Sequence, residues 1–460
     1  MGSMIEVHVV QDMPFGSGNR GGDGRPKYAP WAGRRRVRVS SQAWRRAMRS
    51  FVLNHLSSNQ DGRIGHAWRT RRLPRLVAQS LESKGVDKDQ ALLLARAAIA
   101  AGLHSSNSPI SGANQLSAKV LGEDDDDMTA PMLIFPDWGP EAIAQAIQAG
   151  LGESTDLVDN AVAWGEAWAA VRAAEEAVRN ERAKARAEIK TRNNEEGGEE
   201  RDGKVGDRDE SAPPITSSPR KAQKVDPPVD PEMPSVVMDV IHSVLHDTSA
   251  LDVWLFGRFL AVLPDSRVDG ALQVAHAIGT GVDGEVVDFF VAVDDLARSD
   301  EAAAGHVGSD KILAGGTLYR HMVLDVDQLI SNMGDLKDEQ HAVEFAVGLA
   351  IQAFIQSVPH SGATGSAPAS VPHVVVVGIG SAPANMVDVF SEPADGLAAA
   401  ERLCRAWEKK RVGFFSPRVS AAWSGSDVKL PEGVQTCSTP DDLIEVMVGT
   451  LFGEHPEGEA

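Results

Sequence analysis

Seven arginines fall between Arg34 and Arg49, in the stretch AGRRRVRVSSQAWRRAMRSF, with no acidic residue among them. The planar guanidinium fork grips phosphate oxygens two at a time, so such a cluster suits a polyanion. Its setting sharpens the point. The 460-residue chain carries a formal net charge of -20, yet residues 1–75 hold 15 Lys and Arg against 4 Asp and Glu. Positive charge is therefore segregated into the N-terminal segment of an otherwise acidic protein. Just upstream, PFGSGNRGGDGRPK (Pro14–Lys27) is a glycine-rich loop with many backbone donors and two more cations of interest, Arg20 and Lys27. It lacks the Gly-Lys-Ser/Thr ending of a nucleotide-binding loop. VVVVGIGSAP likewise lacks the G-x-G-x-x-G spacing of a dinucleotide site. A merely solvated basic face is the alternative, against which stands the mutual repulsion of seven cations without a carboxylate.

Other residue sets invite weaker readings. Asp294, Asp295 and His306 could hold a divalent ion, but turn capping and polar contacts within the thumb are the preferred reading. The acidic run Glu123–Asp127 reads as a solvated loop. Cys404 and Cys437 match no zinc or redox spacing and are expected to be reduced thiols. The N-terminus lacks a secretory signal pattern, and no apolar run reaches membrane-spanning length. A cytoplasmic protein with no membrane partner is expected.

Elements must position these cations. Ile5, Val7 and Val9 alternate as in a half-buried strand. RRRVRV reads as a second strand, with Arg34, Arg36 and Arg38 on one face and Val37 and Val39 on the other. Ser40 or Ser41 then caps a helix. Trp44, Ala47, Met48 and Phe51 fall on its apolar face; Gln42, Arg45, Arg46 and Arg49 fall on the outer face. Residues 64–103 read as further helix, LIFP as a short strand, and the alanine-rich 139–190 as helical. Residues 191–235 are dense in charge, Gly and Pro and almost free of large apolar residues, which predicts disorder. Order resumes with SVVMDVIHSVL and LDVWLFGRFLAVL. EVVDFFVAVDDL and Thr317–Asp325 read as strands, His341–Val358 as a helix, and HVVVVGIG (His373–Gly380) as a central strand. The pattern predicts an α+β fold with a split βαβ, ferredoxin-like core and large insertions.

Several stretches in order resemble one family. EVHVVQDMPFGSGNRGGDGRPK and AGRRRVRVSSQAWRRAMR are followed by FGRF, VDGALQVAHAIGTG, FFVAVDDL, GHVGS and AGGTLYRHMVLDVDQL. This set resembles the CasC family, the guide-RNA (crRNA) binding backbone subunit of the type I-E CRISPR complex Cascade. The resemblance covers roughly residues 4–75 and 236–380. It implies an RRM-like palm (4–60 and 236–450), a helical fingers region (61–190) and a β-hairpin thumb near Val282–Arg320. It further implies a non-catalytic subunit without cofactor or metal that polymerises along crRNA and presents it to target DNA. The partners it implies are other copies, the large, small, cap and crRNA-processing subunits, and a recruited helicase-nuclease. Carried onto this chain, the RNA-binding positions are Arg20 and Lys27 in the loop, and Ser40 and Gln42 at the strand-to-helix junction. Arg45, Arg46 and Arg49 follow on the helix. Phe259 and Val307 would bracket a displaced nucleotide. Gly21 and Gly22 stand where the family usually has two Asp. The rival expectation is a metal-dependent ribonuclease like the backbone subunits of type III effectors, for which the loop offers only Asp23.

Overall fold

The computed structural model describes residues 3–16, 18–56, 64–105, 128–129, 131–153, 156–167, scattered positions from 170 to 184, 233–260, 263–282, 285–288, 291–293, 304–307, 311–359, 361–410 and 417–452. The segment predicted to be disordered, 191–235, lies outside these residues up to 232, as do Glu123–Asp127 and the Asp294–Asp295 pair. Among the described residues no helix is long and apolar enough to cross a membrane.

The chain opens with strands β1 (Met4–Gly16), β2 (Tyr28–Trp31) and β3 (Arg34–Val39), then helix α1 (Ser41–Leu56). Next come β4 (Ala67–Thr70), α2 (Leu73–Ser83), α3 (Lys88–Ser105), β5 (Leu133–Pro136), α4 (Gly139–Glu153), α5 (Ser235–His246) and α6 (Leu251–Phe256). Short strands β6 (Leu272–Val274), β7 (Ala277–Gly279), β8 (Val286–Asp288), β9 (Val291–Val293) and β10 (Ala304–Val307) lead into the long β11 (Lys311–Asp325). The chain closes with α7 (Val326–Asn332), α8 (Gln340–Gln356), β12 (Pro372–Gly380), α9 (Gly396–Lys410), β13 (Val419–Ser424), β14 (Gln435–Thr436) and α10 (Pro440–Phe452).

These elements fall into two compact units. The first comprises residues 1–67, 248–258 and 267–460; the second comprises 68–247 and 259–266. The first is built on a ten-stranded mixed sheet in the order β14-β13-β12-β1-β11-β7-β3-β2, with β6 and β8 also paired to β11. β1 lies antiparallel between β11 and β12, His8 opposite His321 on one side and Val376 on the other. Its alternation predicts burial on one face, but Ile5 through Gln11 are buried on both. Ile5, Val7 and Val9 pack with Met48 and Val52 of α1 and Val347, Ile351 and Phe354 of α8. On the opposite face, Val10, Tyr319, Val374 and Val376 are covered by Leu403 and Trp407 of α9 and by Phe390. The polar positions of β1 that a one-sided sheet would turn to water are here buried as well.

That second face contains Glu6, His8 and His321, all buried. His8 Nδ1 lies 2.8 Å from the Tyr319 hydroxyl, which accepts from the Met386 amide. Burial beside His8 pushes the His321 imidazole down to about 2, so it is held neutral. Burial also holds the Tyr319 phenol well above its ordinary range.

The second unit is mainly helical, with β4 and β5 forming a short pair. The sequence predicts helix through 64–103, but AWRT is strand β4 and α2 begins only at Leu73, with proline in its first turn. Helix α5, which the resemblance groups with the palm, falls within this unit. A Cβ on Gly102 of α3 would collide with the Ile241 side chain, and one on Gly139 would lie 2.6 Å from Val244. Glycine at both positions is what lets the helices approach so closely.

Candidate nucleic-acid interface

The glycine-rich loop is folded by its own hydrogen bonds. The Gly21 amide donates to Arg25 O at 2.7 Å and the Lys27 amide to Asn19 O at 2.9 Å. Asp23 Oδ1 accepts from the Arg25 amide at 3.1 Å, and Gly24 takes the left-handed φ of +79° that closes the turn. The loop then fixes the start of α1. Asn19 Oδ1 accepts from the Ser40 amide at 3.0 Å, and Lys27 O accepts from the Arg38 amide at 2.9 Å. Ser40 is the cap: its hydroxyl oxygen accepts from the Ala43 amide at 3.3 Å and its carbonyl from Ala43 and Trp44. The side chain is buried, so what Ser40 supplies to the surface is the geometry of the helix start.

One residue that sequence reasoning missed completes this junction. His276, between β6 and β7, accepts at Nδ1 from the Ser41 amide at 2.9 Å and lies 3.3 Å from Arg38 Nη1. Burial, Arg38 and Lys27 together lower its pKa, which keeps the ring neutral and accepting. The only signal was its place within VDGALQVAHAIGTG. With the Ser41, Ala43 and Trp44 amides taken, the exposed Gln42 contributes the remaining amide of the first turn, at the positive end of the helix dipole. Lys27, Arg38, Gln42 and His276 thus lie about one helix N-terminus, an arrangement of donors and positive charge whose chemistry suits an anion.

The arginines themselves divide. Arg46 is exposed, and among the described residues Lys27, Arg38 and Arg46 have no ion pair. Arg34 is exposed and loosely paired with Glu392 at 3.8 Å. Arg35 pairs with Glu285 and lies 3.9 Å from the centre of the Tyr28 ring. Arg20 is exposed at the loop tip.

Two expected positions require correction. Arg36 shares its strand face with Arg34 and Arg38, yet it is 0% exposed. Its guanidinium donates to Thr280 O at 2.7 Å, to Gly281 O, and to Phe390 O and Ser391 O at 3.3 Å each. Desolvation lowers its pKa, with Arg34 adding to the effect. Arg49, expected on the outer face of the helix, turns inward. Its Nε donates to Asp252 Oδ2 at 2.7 Å and its Nη2 to Ala67 O at 2.6 Å, while Asp252 Oδ1 accepts from the Ala67 amide. Arg45 is half-buried and donates to Phe256 O. The absence of local carboxylates was therefore misleading, because Glu285, Glu392 and Asp252 reach the cluster from distant parts of the chain.

Phe259 is 69% exposed, which excludes a core role. Val307 lies in β10, opposite Val291 of β9 in a two-stranded sheet; its side chain, like that of His306, lies outside the described residues. Beside the loop, a shallow groove is lined by Met13, Gly16, Gly18, Val39, Trp44 and Pro359, among others. The two cysteines are free and buried, and burial pushes the Cys404 thiol up to about 12.

Comparison with known proteins adds to this geometry. No curated protein matches the sequence. Among solved structures, one chain of a "CRISPR RNA-guided surveillance complex, pre-nicking" superposes with a TM-score of 0.67 at 25% identity, covering 98% of this chain and 100% of the other. A chain of a "CRISPR RNA-guided surveillance complex" gives a TM-score of 0.61 at 21% identity, covering 97% and 99%. A family model described as CT1975-like protein matches residues 5–446, from β1 into the last helix. By that match the chain belongs to the CT1975-like family of CRISPR-associated proteins.

Proposed function

We propose that this chain is a non-catalytic guide-RNA-binding subunit of a Cascade-type surveillance complex, type I-E as its motifs resemble. Copies of it would line up along crRNA and present the strand to target DNA. The observation that carries this reading is the unneutralised rim at the start of α1: Lys27, Arg38, Gln42 and Arg46, ordered by the glycine loop. A guide backbone must accept any sequence, so it needs contacts to phosphate and ribose rather than to base edges. The rim offers cations and a helix N-terminus, and nothing in it is shaped to read a base.

The strand order β12-β1-β11-β6, with helices between β1 and β6 and between β11 and β12, supports an RRM-like palm. RRM sheets expose one face whose aromatics stack on bases. Here α9 closes that face, so in this reading the RNA runs along the rim and loop instead. The helical unit would serve as the fingers, and β8 to β10 as part of the thumb, with Phe259 and Val307 as the apolar wedge. The other Cascade subunits and a recruited helicase-nuclease would complete the assembly. Asp23, the loop carboxylate a ribonuclease would need, is engaged with the Arg25 amide.

Purifying the chain at low salt with a co-expressed guide tests the reading. Copurifying RNA of guide length, released as salt rises, is expected. Protein free of RNA would overturn it. Regular cleavage of complementary RNA in Mg²⁺, lost on Asp23→Ala, would replace it with the ribonuclease.

A further inference from the structure

We propose that His242, His246 and Asp265, in the helical unit, form a site for one divalent transition-metal ion of the zinc class. The three residues offer ligand atoms that all lie within 4.8 Å of one another. His242 and His246 are one helical turn apart on α5, and their rings stack at 3.9 Å between centroids and 20° between planes.

The tautomer of His246 is fixed by its surroundings. Its Nδ1 lies 2.8 Å from the His242 carbonyl oxygen. A carbonyl only accepts, so Nδ1 carries the hydrogen, and in the neutral ring Nε2 presents its lone pair. That lone pair faces Asp265 Oδ2 at 3.4 Å. Lone pair and carboxylate repel unless a positive charge lies between them. Two ligands held about 2.1 Å from a tetrahedral ion are themselves about 3.4 Å apart. The spacing is therefore that of two bonds to one metal, and a ring N–H donated to a backbone carbonyl is the outer-sphere clamp that metal-bound histidines use. Two imidazoles and one carboxylate suit zinc, nickel, cobalt or copper rather than magnesium or calcium. His242 is exposed and can close onto the ion by side-chain rotation, and water would complete the coordination.

Asp265 sits in a short 3-10 turn, Pro264–Ser266, closed by Ser266 bonding through amide and hydroxyl to Leu263 O. It belongs to the 259–266 segment of the helical unit. An ion at this site would cross-link that segment, which begins with the exposed Phe259, to α5.

The test uses the full chain, prepared without an affinity tag and stripped with chelator. Cobalt(II) should bind at one equivalent and give the visible absorption of a tetrahedral site. Zinc should displace it and raise the melting temperature by a few degrees. His242→Ala and Asp265→Asn should each weaken zinc binding at least about tenfold while leaving the metal-free melting temperature unchanged, since both side chains are exposed. Circular dichroism of the metal-free variants confirms folding. Absence of a tetrahedral cobalt spectrum at 100-fold excess would overturn the proposal in favour of a simple protonated His246–Asp265 pair. So would binding that both variants retain, which would place the ion elsewhere.

Discussion

Arg36 and Arg38 stand two residues apart on the same face of β3, yet they belong to different regions. Arg36 lies in the interior of the sheet-bearing unit, where four carbonyl oxygens from 280–281 and 390–391 surround its guanidinium. Arg38 stands at the rim beside His276 and Lys27, without an ion pair among the described residues. Arg320 repeats the interior solution. It is buried, donates to Gln11 Oε1 and Phe354 O, and its guanidinium carbon lies 3.8 Å from the centre of the Trp44 ring. Burial alone drops its pKa to about 9. Interior arginines act as cross-links that tie separate segments through their carbonyls. At the rim, Arg38 and Arg46 have no ion pair among the described residues. The same residue type is structural in one region and available in the other, and what differs is whether carbonyls or carboxylates from elsewhere reach it.

Removing an interior cross-link should do the most damage. Arg36→Ala would take a donor from the carbonyls of Thr280, Gly281, Phe390 and Ser391 and open a cavity, and Arg320→Ala would leave Trp44 and Phe354 without their packing partner. Losses of about 3–5 kcal/mol are expected for each, from unsatisfied acceptors at about 1–3 kcal/mol apiece together with the cavity left behind. Urea unfolding followed by tryptophan fluorescence measures this. A loss below about 1 kcal/mol for Arg36→Ala would mean that its carbonyl contacts are replaceable and that the interior-versus-rim distinction is not energetic.

The sequence showed the elements more clearly than the assignment of cations. β1, α1, α8 and β12 were legible because their apolar residues repeat at periods of 2 or 3.6, or run continuously. The glycine loop and the Ser40 cap were legible from local residue types. Strand β2 was not, because YAPW has little alternation; it is defined by the tight turn at Ala32 and Gly33, both at positive φ, that folds it onto β3. The burial of Arg36 could not be read at all, since its partners lie more than 240 positions away. The same holds for Arg49, whose carboxylate is on α6, and for His276. Local sequence reports which residues can be charged. Only the fold decides which charges are already satisfied.

The interior also contains a group whose protonation opposes folding. His321 is held neutral with a pKa of about 2, facing His8 and Glu6 across β1 and Tyr319 two residues along β11. In the unfolded chain its pKa is about 6.5. Its folded value is the lower of the two, so the unfolded state binds the extra proton as pH falls below about 6.5. Its contribution is fully present above that pH and is lost at about 1.4 kcal/mol per unit on the way down. From pH 6.5 to 4.5 that amounts to about 2.7 kcal/mol. His321→Gln should flatten the pH dependence of the unfolding midpoint over this window by close to one proton, compared with the parent chain. An unchanged slope would show that the ring reaches water.

At the rim the expected effect on stability is the smallest, and the effect on binding is the one that matters. Substituting Arg45, Arg46 and Arg49 together, as the helical wheel suggests, would confound the two. Arg49→Glu would set a carboxylate against the buried Asp252, and Arg45→Glu would lose the bond to Phe256 O. The clean set is Lys27→Gln, Arg38→Gln and Arg46→Gln, which touches no ion pair among the described residues. Arg46 is exposed and Lys27 and Arg38 are half-buried without an ion pair among the described residues; each should change stability by about 1 kcal/mol or less, so the unfolding midpoint should nearly hold. If the rim carries the guide backbone, the triple variant should bind RNA more weakly regardless of sequence. The slope of log affinity against log salt should fall by about 2, at roughly 0.7 for each single-strand phosphate no longer neutralised. Unchanged affinity and slope with an intact fold would mean that the strand lies elsewhere and that these three cations do not hold it.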